Sequence, residues 1–460
     1  MASKLFFWVD WVKKVLHPFW WLIIMIVILL IPFLRPWWWF FAPLLLIPEV
    51  KTLYLWWMRW DYAYPKTTWV MLEIIPPKEV LTPLKAMEDV FTTMWGPLSD
   101  QPNWRERWCE GSLPEPSGWM SWEIVSIEGT VHFYLRIAAQ YLSVIETSLY
   151  AHYPELEIHE VSDYVKNVPQ NIPNEEWDMY GEDYILGNPS AYPIKTYEKF
   201  FEPQGEKISA EEKRIDPINS LLEAISKLGP GEQFWLQFTT MPIEDPSLKE
   251  EGEKIILKLA KRPEKAPKKT FFGEFFEIIY HMVVGPVKEG EGDKAKYKFV
   301  TEVKSETGER EMVLTPGERE IITEVENKLK KPVYRTSIRA LYLAKLENWK
   351  AAHKTLARAY FGHFQTNNLN YIRFARETRA KVHYIFRKRR VFLRNRRLFR
   401  NYVLRFPPMF PERKSACALL SIEELATLFH FPIKITGMVL PTMSRVESKK
   451  AGPPPNLPMG

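Results

Sequence analysis

The feature that most constrains this chain is an uninterrupted apolar run near its beginning. The seventeen residues from Pro18 to Leu34 read PFWWLIIMIVILLIPFL and carry no charge, whereas the whole chain has a mean hydropathy of −0.25. As a helix this run would be about 26 Å long, close to the roughly 30 Å hydrocarbon thickness of a bilayer. Tryptophans at both ends are typical of headgroup regions. The sequence therefore predicts a transmembrane span over residues 18–34, rather than a buried core helix or a cleaved signal peptide.

A second apolar stretch follows, for which the sequence is compatible with two structures. Residues 37–57 open with twelve uncharged residues, which is short for a span, and a longer span would bury Glu49 and Lys51. Either a second short span or an interfacial helix fits. Positive charges flank both stretches, which favours cytoplasmic ends. We therefore expect residues 1–66 to be a membrane anchor in the inner membrane, with the bulk of the chain cytoplasmic.

Charge and cysteine content describe the remainder of the chain. The net charge is +6, but the segment Tyr371–Lys414 holds 15 Lys and Arg against 2 Glu, so that everything else is mildly acidic. The two cysteines, Cys109 and Cys417, provide no disulfide framework and indicate a reducing compartment. One strongly basic segment therefore stands apart from an acidic body.

The first folded unit is predicted over residues 67–165. A β-rich run, WVMLEII from Trp69 to Ile75, precedes a helix in which apolar residues recur at helical spacing. The pair Glu128-Gly129 turns one strand of alternating residues into the next. A helix up to Tyr153 and a strand near residues 156–161 complete the order β-α-β-β-α-β, which is the ferredoxin-like pattern.

A second unit of the same order is predicted over residues 180–374. Its first strand is expected at Tyr192–Tyr197, and a charged insertion over residues 241–314 interrupts it. The later elements are a helix opened by the capping box of Thr315 and Glu318, a strand, a helix and a last strand up to residue 374. The predicted fold class is therefore α+β, with an N-terminal transmembrane anchor, two tandem ferredoxin-like modules and a basic helical C-terminal segment.

The basic segment, residues 375–414, is predicted to be a long helix with an apolar stripe and a dense cationic face. Apolar pairs such as Ile385 and Phe386 recur between the arginines. A cationic face of this kind binds nucleic-acid phosphates or anionic lipid, and the residues do not distinguish the two. The candidate contact residues are Arg387, Lys388, Arg389, Arg390, Arg394, Arg396, Arg397 and Arg400.

The sequence contains no catalytic constellation that we recognise. It lacks the GxxxxGK[ST] phosphate loop, the GxSxG elbow and any pair of cysteines at metal-binding spacing. His159-Glu160 has no second histidine at the spacing of a zinc protease. We therefore expect a non-catalytic protein with no cofactor and no metal.

The tail, residues 415–460, is predicted to be an extended partner-docking element. Ser421 and Glu424 match a capping box, so that a short helix follows and ends before three exposed prolines at residues 453–455. This helix either contacts a partner or packs on its own chain. The candidate docking residues are Leu425, Leu428, Phe429 and Phe431.

Two tail segments, LSIEELATLFHFP and TMSRVESKKAGPPPNLP, resemble the region just before the motor domain in conjugative or type IV secretion DNA-transfer ATPases of the FtsK/HerA-like group, known from bacterial candidate phyla. The apolar start, the VMLEIIPPKEV strand and the RKRR helix also resemble the upstream part of those proteins. The resemblance implies a membrane-anchored component of a DNA-translocation machine that assembles with a separately encoded P-loop motor ATPase, with DNA and further copies of the chain as other candidate partners. The alternative is a membrane-surface scaffold whose basic helix binds anionic lipid.

Overall fold

A nine-stranded antiparallel sheet is the framework of the structure. The structure is a computed structural model, and it describes residues 20–77, 82–99, 103–110, 118–200, 216–260, 287–289, 296–298, 314–376, 378–382, 385–405 and 417–432. The strands of these ranges are β1 (Trp69–Ile75), β2 (Met120–Ile127), β3 (Thr130–Ala138), β4 (Glu157–Glu160), β5 (Trp177–Leu186), β6 (Glu232–Ile243), β7 (Val287–Glu289), β8 (Lys296–Lys298), β9 (Val333–Lys345), β10 (Ile372–Phe374) and β11 (Ala418–Ser421). β7 and β8 pair with each other, outside the large sheet.

The described α-helices lie before, between and after these strands. They are α1 (Trp20–Leu30), α2 (Trp38–Trp57), α3 (Lys85–Leu98), α4 (Leu142–His152), α5 (Pro217–Ser226), α6 (Pro246–Leu259), α7 (Pro316–Lys330), α8 (Leu356–Gly362), α9 (Arg387–Val403) and α10 (Ile422–Leu428). The chain forms two compact units, one of residues 1–245 and 331–460 and one of residues 246–330. The large sheet belongs to the first unit.

The sheet consists of two halves joined by one pair of strands. The strand order is β10-β5-β9-β6-β2-β3-β1-β4, and β11 pairs with β9 outside this path. In one half, β3 lies between β1 and β2, which α3 connects. In the other half, β9 lies between β5 and β6, which α5 connects. This is the split βαβ arrangement. β2 and β6 pair antiparallel from Met120 opposite Thr240 to Ile127 opposite Gln233. The two halves are therefore parts of one continuous sheet.

The predicted fold class is wrong at the N-terminal anchor. Within the described ranges, which begin at residue 20, no helix is both long enough and apolar enough to cross a membrane. The predicted span over residues 18–34 is represented by α1, whose 11 residues extend about 16 Å. Pro32 lacks an N–H group and cannot continue a helix, so the chain turns after α1. α2 has 20 residues, but it contains Pro43, Pro48 and two charged side chains.

One face of the sheet packs against α3, α4, α5, α8 and α10. Side chains alternate between the faces of a strand, and on β6 Phe234, Leu236 and Phe238 point into this core while Trp235 points to the opposite face. All twelve residues of β6 are buried. The central strands are therefore covered on both faces, although all of them are antiparallel.

The other face of the sheet is covered by α9 and by a short 3₁₀ turn at Tyr164–Asn167. A second apolar cluster lies here, and it includes Met179 of β5, Trp235 of β6 and Tyr402 of α9. The basic segment therefore contributes to a core of the protein as well as to its surface.

The second unit differs in extent from the predicted insertion. β6 continues to Ile243, and the compact unit runs from Pro246 to Lys330, so that it includes α7. α6 and α7 approach each other closely at Gly252, where a Cβ atom would lie 2.5 Å from Leu329 Cδ1. The first strand of the second half is likewise β5, at Trp177–Leu186, and residues 192–197 form no strand.

A buried carboxylate marks the start of β6. Glu232 accepts hydrogen bonds from the Tyr342 hydroxyl (2.6 Å), the Gly229 N–H (2.8 Å) and the Lys350 ammonium (3.0 Å). The His353 ring nitrogen Nδ1 lies 3.1 Å from it. Burial acts to raise the pKa of Glu232, but the hydrogen bonds from Tyr342, Gly229 and Lys350 outweigh burial and lower that pKa from 4.5 to about 2. The ionised carboxylate therefore stabilises this end of the sheet.

We expect Glu232→Gln to lower the free energy of unfolding by about 2 kcal/mol at pH 7, because hydrogen bonds to a charged acceptor are lost. Since the folded pKa is depressed, this stabilisation is complete above about pH 4.5 and is lost as the pH falls toward 2. Urea unfolding between pH 3 and 7 measures the difference between variant and wild type. A difference that stays constant with pH would contradict this assignment, and Glu157→Gln on the sheet edge is the control.

Candidate polyanion-binding helix

Helix α9 carries one buried stripe on an otherwise cationic surface. Its sequence, RKRRVFLRNRRLFRNYV, contains eight Lys or Arg and no acidic residue. The buried residues are Asn395, Leu398, Phe399 and Tyr402, at spacings i, i+3, i+4 and i+7. This is the period of one helix face. The hydrophobic pattern therefore sets which side of α9 meets the sheet and which side meets solvent.

The buried stripe fixes α9 on the half of the sheet that contains β5 and β6. The Asn395 side-chain amide donates to the Met179 carbonyl of β5 (3.0 Å), and the Tyr402 ring packs 5.3 Å from the Trp235 ring of β6. Gly181 of β5 lies under Leu398, where a Cβ atom would approach Leu398 Cδ1 to 3.3 Å. A larger residue than glycine would first clash with Leu341 of β9, whose Cδ2 would lie 2.5 Å from that Cβ atom.

A buried charge network holds the end of α9. Arg405 follows the helix in a left-handed conformation (φ +49°), and its side chain is fully buried. Its guanidinium donates to Glu123 of β2 (2.8 and 3.1 Å) and to Asp163 (2.6 and 2.9 Å). The Tyr164 hydroxyl also donates to Glu123 (2.8 Å). Bidentate pairs of this kind impose a defined geometry.

The ionisation of this network follows from its contacts. Burial acts to lower the pKa of Arg405, but the charge of Glu123 and the hydrogen bonds to both carboxylates raise that pKa well above its ordinary value. Burial likewise acts to raise the pKa of Asp163, and its hydrogen bond from Arg405 holds that pKa below its ordinary value. Arg405 and Asp163 are therefore charged at neutral pH.

The structure places seven of the eight predicted contact residues in solvent along α9. These seven, which we call the cationic face, are Arg387, Lys388, Arg389, Arg390, Arg396, Arg397 and Arg400. Arg394 differs, because it is half-buried and donates to the Arg379 carbonyl (2.8 Å). The Arg396 guanidinium stacks over the Phe392 ring at 4.8 Å, which holds it close to the helix surface.

Four of these cations occupy the place on a helix where positive charge is least favourable. Residues 387–390 form the first turn of α9, and that turn contains no acidic side chain. The helix macrodipole is positive there, and each misplaced charge costs a few tenths of a kcal/mol up to about 1 kcal/mol. The positive end of the macrodipole also attracts an anion. The arrangement opposes folding stability and favours an anionic ligand.

Two apolar residues directly before the helix were assigned to the wrong surface by the sequence pattern. Ile385 and Phe386, expected within an apolar stripe, are 74% and 73% exposed. We call this pair the apolar tip. Phe386 adopts a left-handed conformation (φ +60°), which is costly for a residue other than glycine. The predicted helix over 375–414 in fact begins at Arg387, so the apolar tip lies outside its periodicity.

The four predicted docking residues lie inside the protein. Leu425, Leu428, Phe429 and Phe431 are at most 1% exposed, and all belong to the larger apolar core. The capping box of Ser421 and Glu424 is present, and β11 pairs with β9. The segment 417–432 is therefore packed on its own chain rather than extended toward a partner. The rest of the predicted tail, residues 433–460, lies outside the described residues.

We expect Arg405→Met to lower the free energy of unfolding by about 3–5 kcal/mol, because Glu123 would remain buried without its cation. The double variant Glu123→Gln with Arg405→Met should be less destabilised than the single variant, since it removes that orphaned charge. Chemical denaturation of the full chain measures both. Arg396→Gln, on the solvent side of α9, is the control and should stay within about 0.5 kcal/mol of wild type. A single variant as stable as this control would contradict the assignment.

We expect Phe429→Ala to destabilise the protein by about 3–5 kcal/mol, because its ring packs 5.0 Å from Trp122 and 6.0 Å from Phe133 in the core. The matched control is Leu393→Ala on the exposed side of α9, which should change stability by less than about 0.5 kcal/mol. Thermal unfolding of both variants tests this. Unchanged stability of Phe429→Ala would instead favour a surface role for this residue.

Comparison of the sequence with protein-family models and with curated proteins finds no match to either. The resemblance drawn from the tail therefore stays a prediction, and part of it falls beyond residue 432, outside the described ranges. Within those ranges, no group of three or more His, Cys, Asp or Glu side chains could hold a metal ion. The cationic face of α9 and the apolar tip before it are the surfaces that indicate a function.

Proposed function

We propose that this chain is a non-catalytic scaffold that binds an anionic membrane surface through the cationic face and the apolar tip of α9. The observation that carries this proposal is the exposure of Ile385 and Phe386 beside four consecutive cations, residues 387–390. Apolar side chains next to cations are typical of segments that lie in the membrane interface. There the apolar groups enter the acyl boundary while the cations meet lipid phosphates.

The energies of the two contributions support this division of roles. Cations near an anionic leaflet contribute about 1 kcal/mol each, so the four residues of the first turn would give about 4 kcal/mol. That amount corresponds to binding at only about 1 mM. Burial of Ile385 and Phe386 would add about 1.5–3 kcal/mol for each side chain. Together they would bring the affinity toward the micromolar range, which charge alone would not reach.

A second surface supports an interfacial environment. α2 exposes large apolar and aromatic side chains along much of its length, including Trp39 (61%), Ile47 (55%) and Leu53 (69%). Exposed apolar surface of this extent marks an interaction site rather than an ordinary protein surface. A helix lying in the interface, which was one of the two alternatives for residues 37–57, would cover these side chains.

A second candidate function is nucleic-acid binding within a DNA-translocation machine that includes a separately encoded motor ATPase. The observation that favours it is that six of the seven residues of the cationic face are arginine. The planar guanidinium binds phosphate in a bidentate manner, which an ammonium group does not. In this function the cations would release counterions from phosphates, and the apolar tip would contribute little.

Binding of the full chain to vesicles and to DNA distinguishes these functions. We expect co-sedimentation with phosphatidylcholine vesicles containing about 30% phosphatidylserine to weaken at least tenfold in Ile385→Ser/Phe386→Ser. The loss should be larger when residues 387–390 are all changed to glutamine. A 30-base-pair DNA duplex, measured by fluorescence anisotropy against salt, is the competing ligand.

The chain offers matched controls for both variants. Leu346→Ser removes a 51% exposed apolar residue elsewhere, and changing Lys249, Lys254 and Lys258 to glutamine removes exposed cations from α6. Neither control should alter vesicle binding. If the tip variant binds vesicles like wild type while the wild type binds DNA with a steep salt dependence, the lipid proposal is wrong and the second candidate is supported.

A further inference from the structure

A cavity of about 470 Å³ lies beside the start of β1, where the N-terminal helices join the sheet. This volume lies within the range of small-molecule sites. Its lining combines cations, hydroxyl groups and aromatic rings, and the residues used below are Arg59, Lys66, Thr67, Trp69, Glu110 and Trp119. All of them belong to the first compact unit. The cavity is separate from the contacts of α9 described above.

Aromatic rings form one wall of the cavity. The ring centroids of Trp69 and Trp119 lie 4.8 Å apart, and the Tyr64 ring stacks on Trp119 at 6.1 Å with an interplanar angle of 4°. The Tyr64 hydroxyl donates to the Leu404 carbonyl (2.8 Å), which ties this group of rings to the chain just after α9. The wall is therefore preorganised, with the Trp69 and Trp119 rings inclined at 45° to each other.

Two cations of the lining each lie against an aromatic ring, Arg59 against Trp119 of the wall and Lys66 against Tyr62. The Arg59 guanidinium lies 4.7 Å from the centroid of the Trp119 ring, and the Lys66 ammonium lies 3.3 Å from that of Tyr62. A cation–π contact orients a cation without cancelling its charge. Burial lowers the pKa of Arg59 to about 10, so the side chain remains charged at neutral pH. Among the lining residues that the structure describes, Glu110 is the one carboxylate, and these described residues carry a net positive charge.

The backbone around the cavity provides an independent observation. Two segments that contribute lining residues, Met58–Ala63 and Glu106–Glu110, are π-helical. π-helical turns are rare and occur frequently at functional sites, because the wider turn redirects side chains at a cost in stability. Two such turns at one cavity indicate that its shape is maintained against local backbone preference.

We propose that this cavity binds a phosphate ester carried on an apolar body, either a lipid headgroup or a free phosphate ester. Arg59 and Lys66 would bind the phosphate, with the Thr67 hydroxyl in the same lining as a further donor. The apolar body would lie on the wall formed by Trp69 and Trp119. This proposal is independent of the role of α9.

Isothermal titration of the full chain with three soluble probes tests the proposal. The probes are dihexanoylphosphatidic acid below its critical micelle concentration, glycerol 3-phosphate and inorganic phosphate. We expect Arg59→Gln and Lys66→Gln each to weaken binding of the first probe about tenfold, since a charge-assisted hydrogen bond is lost. Lys85→Gln, an exposed cation outside the lining, is the control and should bind like wild type.

The outcomes separate this site from the cationic face. The variant with residues 387–390 changed to glutamine should bind the probes like wild type, and loss of binding in that variant would overturn the proposal. Absence of binding by all three probes, or wild-type affinity in Lys66→Gln, would also overturn it. Because Lys66 is exposed, its variant remains informative if Arg59→Gln fails to fold. Tighter binding of dihexanoylphosphatidic acid than of glycerol 3-phosphate is expected, because only the lipid carries an apolar body. Equal binding of the two would contradict a contribution of the aromatic wall.

Discussion

The pairing of β2 with β6 is the interaction on which the rest of the structure depends. It joins the half β10-β5-β9-β6, to which β11 is paired, and the half β2-β3-β1-β4 into one sheet, and each half has its own split βαβ order. α9 lies across that joint, with Asn395 bound to β5, Tyr402 packed on β6 and Arg405 bound to Glu123 of β2. Without the joint, α9 would still pack on β5 and β6, but Arg405 would lose Glu123, which holds the end of the helix.

The buried contact between α9 and the sheet contains charged and polar side chains, which folding stability alone does not require. Gln237, Arg339 and Asp183 accompany the Glu123–Arg405 pair on this face of the sheet. Buried ion pairs contribute little net stability, because desolvation offsets most of the attraction. Their geometry is nevertheless demanding, and an apolar interface would tolerate sliding that this network does not. We interpret the network as fixing the position of α9 on the sheet, which a surface of aligned cations requires.

Much of the strand and helix order was predictable because local signals were strong. β1 coincides with the predicted strand at Trp69–Ile75, and the capping boxes at Thr315 and Ser421 are present as hydrogen bonds. β5 was missed because Glu182 and Asp183 interrupt its apolar pattern. Both acids are paired inside the protein, with Arg358 and Arg339, and these partners are distant in sequence. The burial of Phe429 was equally unpredictable, because an amphipathic pattern does not indicate which apolar surface its helix packs against. The apolar run over residues 18–34 is long enough in sequence to span a bilayer as a helix. It contains Pro32, however, which prevents α1 from continuing.

The burial of Phe429 and Phe431 has a consequence for biosynthesis. Their aromatic partners, Trp122 and Phe133, leave the ribosome roughly 300 residues earlier, which at about 5–20 residues per second is roughly 15–60 s. During that interval the apolar site on the first half of the sheet that Phe429 and Phe431 later fill stays empty. β9, once it has been synthesised, lacks its pairing with β11. Until its last described segment has been synthesised, the nascent chain therefore exposes apolar surface that favours aggregation.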